Sequence, residues 1–188
     1  MISEKWDEKE IELAKSLINC QSYSGHEDKA AEALKAYMKE TGVFDEIETD
    51  CYGNVIGHIK GKNHGLKVLF DGHIDTVPVG NLKDWKHDPF HAVVEDGKLY
   101  GRGTSDDKGP LVSSLFAMKY LADNQLIPKD TCLRMIVGTD EEESWQCIRY
   151  YLDHAEILPQ VSIVPDANFP LLYCEKGLLD FDLSSVES

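Results

Sequence analysis

Four short polar clusters in the 188-residue chain have the residue types and the spacing to bind a metal ion. The first contains His73 and Asp75, which are two residues apart and therefore point the same way along an extended chain. The carboxylate of Asp75 can then accept a hydrogen bond from one nitrogen of His73 while the other nitrogen binds the metal. A lone His-x-Asp pair is more often structural, so the other clusters decide its meaning.

The other three clusters are rich in carboxylates. Asp106 and Asp107 follow a Gly-Arg-Gly turn, and capping of the helix that comes next would need only one of them. Residues 140–143 are four consecutive acids, which indicate either an exposed acidic helix start or a nearby cation that relieves their repulsion. Asp166 lies in a Pro-Asp-Ala sequence and, taken alone, is simply a turn residue.

Together, one histidine and several carboxylates are the ligand types of a zinc, manganese or cobalt site. A further carboxylate beside such ligands can act as a general base toward water. The sequence therefore predicts a metal-dependent hydrolytic site.

The elements that position these clusters are predicted from hydrophobic periodicity and turn residues. Helices are predicted for residues 6–20, 27–40, 109–123 and 143–154. Strands are predicted for residues 54–60, 66–70, 92–94, 99–100, 133–137, 161–164 and 178–183. This alternation predicts an α/β domain with a central, largely parallel sheet flanked by helices. Ligands bind beyond the carboxyl ends of the strands in such sheets, which is where each cluster falls.

Three local signals predict where elements begin or end. Asp7 and Glu10 have the spacing of a capping box at the start of the first helix. Gly42 is placed to end the second helix, and Asp96-Gly97 is a strong hairpin signal.

Composition excludes several classes of function. The net charge of -15 makes nucleic acid an unsuitable partner. No apolar run approaches the ~20 residues that span a bilayer, and residues 1–10 lack an apolar signal core, so we expect a cytoplasmic protein without a membrane partner. The five cysteines are widely spaced and odd in number, which argues against a disulfide framework and against a thiolate zinc site.

Beyond these general patterns, the sequence resembles the co-catalytic zinc exopeptidases and deacylases, a family that includes peptidase V, carnosinases, acetylornithine deacetylase and succinyl-diaminopimelate desuccinylase. The motifs that carry the resemblance occur in the family's order and span nearly the whole chain: residues 73–78, 85, 89–90, 96–103, 106–109, 141–142 and 165–167. The stretches at 106–110 and 165–170 are most similar to the peptidase V dipeptidases.

The resemblance implies two divalent metal ions, zinc in the first instance, with manganese or cobalt as alternatives. His73 and Asp166 would bind the first ion, and Glu142 would bind the second. Asp106 would bridge both ions.

The resemblance also implies two catalytic residues. Asp75 would orient His73, and Glu141 would take a proton from the bridging water and pass it to the leaving amine. The peptide bond between Asp106 and Asp107 would be cis.

Family members are longer, with a lid or dimerisation domain followed by a return to the catalytic domain that supplies the last metal-binding histidine. Residues 1–188 would then be the N-terminal portion of the catalytic domain, of zinc-exopeptidase-like fold, without the lid and the C-terminal return. The second metal site would be incomplete. His87 and His91 lie close to the site in sequence, although neither matches a family ligand.

The leading functional hypothesis is metal-dependent hydrolysis of a peptide bond by a dipeptidase. An alternative is a deacylase acting on an N-acyl amino acid, because the same metals and base serve both reactions. A second alternative is a non-catalytic fragment that binds metal without turnover. The expected partners are a small peptide or N-acyl amino acid and, through an uncovered sheet edge, further copies of the chain.

Overall fold

The computed structural model describes residues 4–60, 66–167, 172–174 and 177, and a five-stranded sheet lies at its centre. The helices are α1 (Glu4–Asn19), α2 (Asp28–Thr41), α3 (Lys108–Asp123) and α4 (Gln146–His154), with a short 3-10 helix at Leu82–Asp84. The strands are β1 (Glu46–Thr49), β2 (Val55–Ile59), β3 (Leu66–His73), β4 (Val93–Glu95), β5 (Lys98–Tyr100), β6 (Thr131–Gly138) and β7 (Val161–Ile163).

The order of strands in the large sheet is β1-β2-β6-β3-β7, and β4 pairs with β5 in a separate hairpin. β3 is parallel to both β6 and β7, whereas β2 is antiparallel to both β1 and β6. Four of the five strands therefore run in one direction, and β2 runs in the other. The predicted α/β fold with a largely parallel sheet is confirmed.

Helices cover both faces of this sheet because its strands bury side chains on both sides. Along β6, Leu133, Met135 and Val137 join the larger apolar cluster, which also includes buried residues of α1, α2 and α3. Ile136 points to the opposite face, where it packs with Tyr151 of α4. The alternation follows from the two-residue period of a strand.

The strand predicted for residues 66–70 extends to His73. β6 is equally long and pairs with it to the end, so that His73 lies opposite Gly138. Gly72 makes this extension possible, since a Cβ there would lie 2.6 Å from Asp107 Oδ2 and 3.0 Å from Leu111 Cδ1. His73 is consequently the last residue of a buried strand rather than part of a loop.

The predicted starts of two helices, α1 and α4, are wrong. α1 begins at Glu4, so Asp7 lies inside the helix and does not cap it. This helix starts earlier because Glu4 and Lys5 are themselves good helix formers. α4 begins at Gln146 instead of Glu143, because the backbone before it forms a turn whose N–H groups are bound elsewhere.

Other local predictions are confirmed. Gly42 ends α2 with a left-handed φ of 67°. Asp96 and Gly97 both have positive φ, at 51° and 71°, as a tight hairpin requires. β1 was not predicted, and the strand predicted for residues 178–183 lies outside the described residues. None of the described helices is long and apolar enough to cross a membrane.

Candidate active site

The candidate site is built around the imidazole of His73 at the end of β3. Nδ1 lies 3.2 Å from both the carboxylate Oδ1 and the backbone oxygen of Asp75. With Nδ1 donating to Asp75, Nε2 is the ring nitrogen directed away from the core. The prediction that these two side chains lie close together is confirmed.

Three carboxylates surround Nε2 of His73. Asp106 Oδ1 lies 3.1 Å away, Asp166 Oδ2 3.5 Å and Glu141 Oε2 3.8 Å. They come from the loop before α3, the loop after β7 and the turn after β6. Two of these segments follow the parallel strands β6 and β7, and the third leads from the separate β4-β5 hairpin into α3. All three meet beyond the carboxyl end of β3.

His73, Asp106 and Asp166 each offer one ligand atom, and the three atoms lie within 4.8 Å of one another. One imidazole nitrogen and two carboxylate oxygens form a donor set that suits zinc and related divalent ions. The residues therefore fit a metal ion, and they are the three assigned to the first metal from the sequence.

Asp75 lies beneath this group and has no solvent exposure. Besides His73, its Oδ1 accepts a hydrogen bond from the backbone N–H of Glu141 at 3.2 Å. Its Oδ2 accepts from the backbone N–H of Glu142 at 3.1 Å and from Ser24 Oγ at 2.7 Å. One buried carboxylate thus holds both the imidazole and the acidic turn formed by residues 140–143.

The site is strongly negative, and this changes the protonation of its members. Burial acts to lower the pKa of His73, yet the bond to Asp75 and the neighbouring carboxylate charges raise it to about 10. Burial and the carboxylates of Asp166 and Glu142 raise the pKa of Glu141 to about 7. A bound cation would act on both groups in the opposite direction.

Asp107 is fully buried and does not cap α3 through its side chain. Its Oδ2 instead accepts a hydrogen bond from the backbone N–H of His73 at 3.1 Å. Burial raises the pKa of the Asp107 carboxyl to about 7. The helix-capping interpretation is therefore wrong for Asp107, which helps to fix His73. The peptide bond between Asp106 and Asp107 is cis, as expected.

The four consecutive acids after β6 have different surroundings. Asp140 turns away from the site and accepts hydrogen bonds from Tyr52, at 2.6 Å, and from Ser144. Glu141 faces His73. The pKa of Glu142 is raised, first by burial and then by the charge of Asp106, but its carboxylate is not among the atoms grouped around His73 Nε2.

The two histidines considered as substitute ligands do not join this group. His87 Nε2 lies 3.2 Å from Glu95, and its ring packs against Tyr100 with the centroids 4.9 Å apart. His91 is exposed. Neither is a member of the group formed by His73, Asp106 and Asp166.

The model of peptidase family M20/M25/M40 matches residues 69–184, which include every predicted ligand and the whole acidic turn. The chain belongs to this family. Among curated proteins it is 43% identical over 146 residues to Putative dipeptidase YtjP of Bacillus subtilis, with 78% of this chain and 31% of that protein covered. It is 40% identical over 149 residues to Putative dipeptidase SH1171 of Staphylococcus haemolyticus, with 78% and 30% covered. The chain thus spans about a third of the length of these family members.

Solved structures share the fold. Human carnosine dipeptidase 1 superposes with a TM-score of 0.69 at 17% identity, over 88% of this chain and 40% of that one. The YXEP protein of Bacillus subtilis, a dinuclear metal binding peptidase of the M20 family, superposes with a TM-score of 0.60 at 20% identity, over 86% and 43%. The expected membership of a metallopeptidase family is confirmed.

Sequence reasoning missed Ser24 at this site. It precedes Asp75 by 51 positions, so no local spacing connects the two residues. The sequence signal that could have identified it is the pair of hydroxyl side chains, Ser22 and Ser24, in the short connection between α1 and α2.

Proposed function

We propose that this chain forms the metal-binding part of a dipeptidase that hydrolyses the peptide bond of a small peptide. The observation that carries the proposal is the convergence of His73, Asp106 and Asp166 within 4.8 Å, with Glu141 beside them. Membership of a peptidase family and relatives with dipeptidase names support the same reading.

In this proposal His73, Asp106 and Asp166 would hold a first divalent ion, and Asp106 and Glu142 would help to hold a second. Zinc suits the nitrogen and oxygen donors best, with manganese and cobalt as alternatives. When bound, the ions would supply Lewis acidity, which polarises the peptide carbonyl and makes water more acidic.

Glu141 acts as the general base of the proposed reaction. Its side chain is 25% exposed, so that it can reach water, and Asp75 fixes its backbone. A carboxylate in this position takes a proton from the attacking water and returns it to the leaving amine. Asp75 keeps His73 in one tautomer and one orientation from a position without solvent exposure.

A peptide substrate is preferred to an N-acyl amino acid because the curated relatives have dipeptidase names. The chemistry of the site serves either amide. For the complete protein we also propose a dipeptide substrate, a cytoplasmic location and association with further copies of the chain.

The test uses the complete protein, that is, the full natural polypeptide containing residues 1–188, stripped of metal with a chelator and then supplied with zinc, manganese or cobalt. We expect hydrolysis of unblocked dipeptides to disappear on stripping and to return with metal. A His73→Ala variant should stay inactive, whereas the matched His91→Ala variant should recover. Hydrolysis that survives stripping, or that occurs with N-acetyl amino acids and not with dipeptides, would overturn the proposal.

A further inference from the structure

The connection between α1 and α2 reaches the base of the candidate site. Ser24 Oγ donates a hydrogen bond of 2.7 Å to Asp75 Oδ2. Two neighbouring contacts hold the same stretch of chain against the end of β3: Ser22 Oγ donates to the Ile74 oxygen at 2.6 Å, and the Thr76 N–H donates to the Ser22 oxygen at 2.9 Å.

This connection is itself well fixed. Lys108, which is buried at the start of α3, donates to the Leu17 and Cys20 oxygens at 2.8 and 3.0 Å. The Gly25 N–H donates to the buried Glu27 carboxylate at 2.7 Å. Ser24 is therefore presented to Asp75 from a rigid support and loses little conformational freedom in forming its bond.

The acceptor capacity of Asp75 is fully used. An ionised carboxylate has about four lone-pair positions. Oδ1 takes the His73 Nδ1–H and the Glu141 N–H, while Oδ2 takes the Glu142 N–H and the Ser24 hydroxyl. Without Ser24, Oδ2 would keep a single donor at 3.1 Å, and the rotation of the carboxylate would be restrained less tightly.

We infer that Ser24 is a positioning residue for the metal-dependent reaction. By restraining the rotation of Asp75, it fixes the position of the His73 imidazole relative to the backbone of the acidic turn. This inference rests on the proposed function, because it assigns Ser24 a role in that same site. Loss of the hydroxyl should disturb a metal ligand and the general base together.

A purely structural contact would have a different effect. It would lower stability while leaving metal affinity and kcat unchanged. Ser22 provides the matched control, since it is a buried serine of the same segment whose hydroxyl binds the Ile74 oxygen and not Asp75.

The experiment compares Ser24→Ala, Ser24→Thr and Ser22→Ala in the complete protein. Zinc affinity is measured by competition with a chromophoric chelator, and kcat and KM are measured with a dipeptide. We expect Ser24→Ala to weaken zinc binding about tenfold, the lower end of the effect of groups that orient metal ligands. kcat should fall with little change in KM. Ser24→Thr, which keeps the hydroxyl, should restore both, and Ser22→Ala, which removes no bond to Asp75, should lower both much less.

Wild-type zinc affinity and kcat in Ser24→Ala, or equal losses in Ser22→Ala, would overturn the inference. Should Ser24→Ala not fold, Ser24→Cys offers a side chain of similar size with a weaker donor, and it must show the same two losses. If the wild-type protein binds zinc but hydrolyses no dipeptide, the proposed function falls, and the zinc affinities still decide the role of Ser24.

Discussion

The two halves of the candidate site differ in how firmly they are held. The buried half consists of His73, Asp75 and Asp107, whose exposed fractions are 2%, 0% and 0%. Its members bond to one another and to backbone groups, so their positions are determined by folding itself.

The open half consists of Asp106, Asp166 and Glu141, whose side chains are 60%, 30% and 25% exposed. Each comes from a different loop, and all three face the same imidazole nitrogen. Like charges this close repel one another unless a cation lies between them.

The two halves of the site therefore have different roles. The buried half presents one nitrogen in a fixed direction, and the open half supplies carboxylates that can adjust to an ion and to a substrate. Substitutions in the open half should therefore affect metal binding or turnover without affecting folding, whereas those in the buried half should affect folding as well.

The largest expected effect is that of Glu141→Gln on turnover in the complete protein. Replacing a general base should reduce kcat by about 10²–10⁴-fold, since the amide cannot accept the proton. Zinc content and thermal stability should stay at wild-type values because the backbone contact to Asp75 is retained. Loss of zinc in this variant would make Glu141 a ligand and remove it from the role of base.

Asp75→Ala should affect both halves at once. It removes the acceptor of two backbone N–H groups and of the Ser24 hydroxyl, and it leaves the His73 imidazole with only the backbone oxygen at position 75. Metal affinity should therefore fall by about 10–100-fold. The unfolding free energy should fall by about 1–3 kcal/mol because buried donors lose their partner. Urea unfolding and chelator competition measure the two effects, and Asp84→Ala, at an exposed position, is the control. A variant that loses metal affinity but no stability would contradict the assignment of Asp75 to the buried half.

Gly72→Ala tests the packing beneath His73. The added Cβ would lie 2.6 Å from Asp107 Oδ2, so the carboxylate must move away from the His73 N–H. We expect a loss of about 1–3 kcal/mol in urea unfolding, as is usual for overpacking. Gly177→Ala, where a Cβ meets nothing within 4 Å, should be neutral. Equal stabilities of the two variants would show that Asp107 is not tightly packed.

The smallest effect is expected for Glu143→Gln. Glu143 is exposed and belongs to the same acidic run as Glu141 and Glu142, but it bonds to neither half of the site. Stability should change by less than about 0.5 kcal/mol, and zinc affinity should be unaltered. A clear loss of zinc would mean that the acidic run acts through its total charge.

The sequence allowed the centre of the site to be predicted because its signals are local. His73 ends β3 and Asp75 follows two residues later, and this i, i+2 spacing predicts that the two side chains meet. β3 and β6 were predicted because long apolar runs mark buried strands. β1 was missed because Glu46–Thr49 is a short edge strand with no buried residue.

Tertiary contacts explain what could not be predicted. The predicted start of α4 is wrong because the N–H groups of Glu141 and Glu142 bond to Asp75. Such long-range hydrogen bonds are not described by helix propensity. Asp107 has the type and place of a helix cap, yet burial against His73 gives it another role. Ser24 meets Asp75 only through the packing of α1 and α2 in the apolar core that they share with the sheet.

The most direct test of this account is a zinc titration of the 188-residue chain and of two single variants, Asp166→Ala and Glu142→Ala. Three protein ligands make a workable zinc site, whereas two carboxylates hold zinc weakly. We therefore expect one tight site and one weak site in the unmodified chain, with the tight site lost in Asp166→Ala and kept in Glu142→Ala. Two equally tight sites, or a tight site that survives Asp166→Ala, would contradict the assignment of His73, Asp106 and Asp166 to one metal ion.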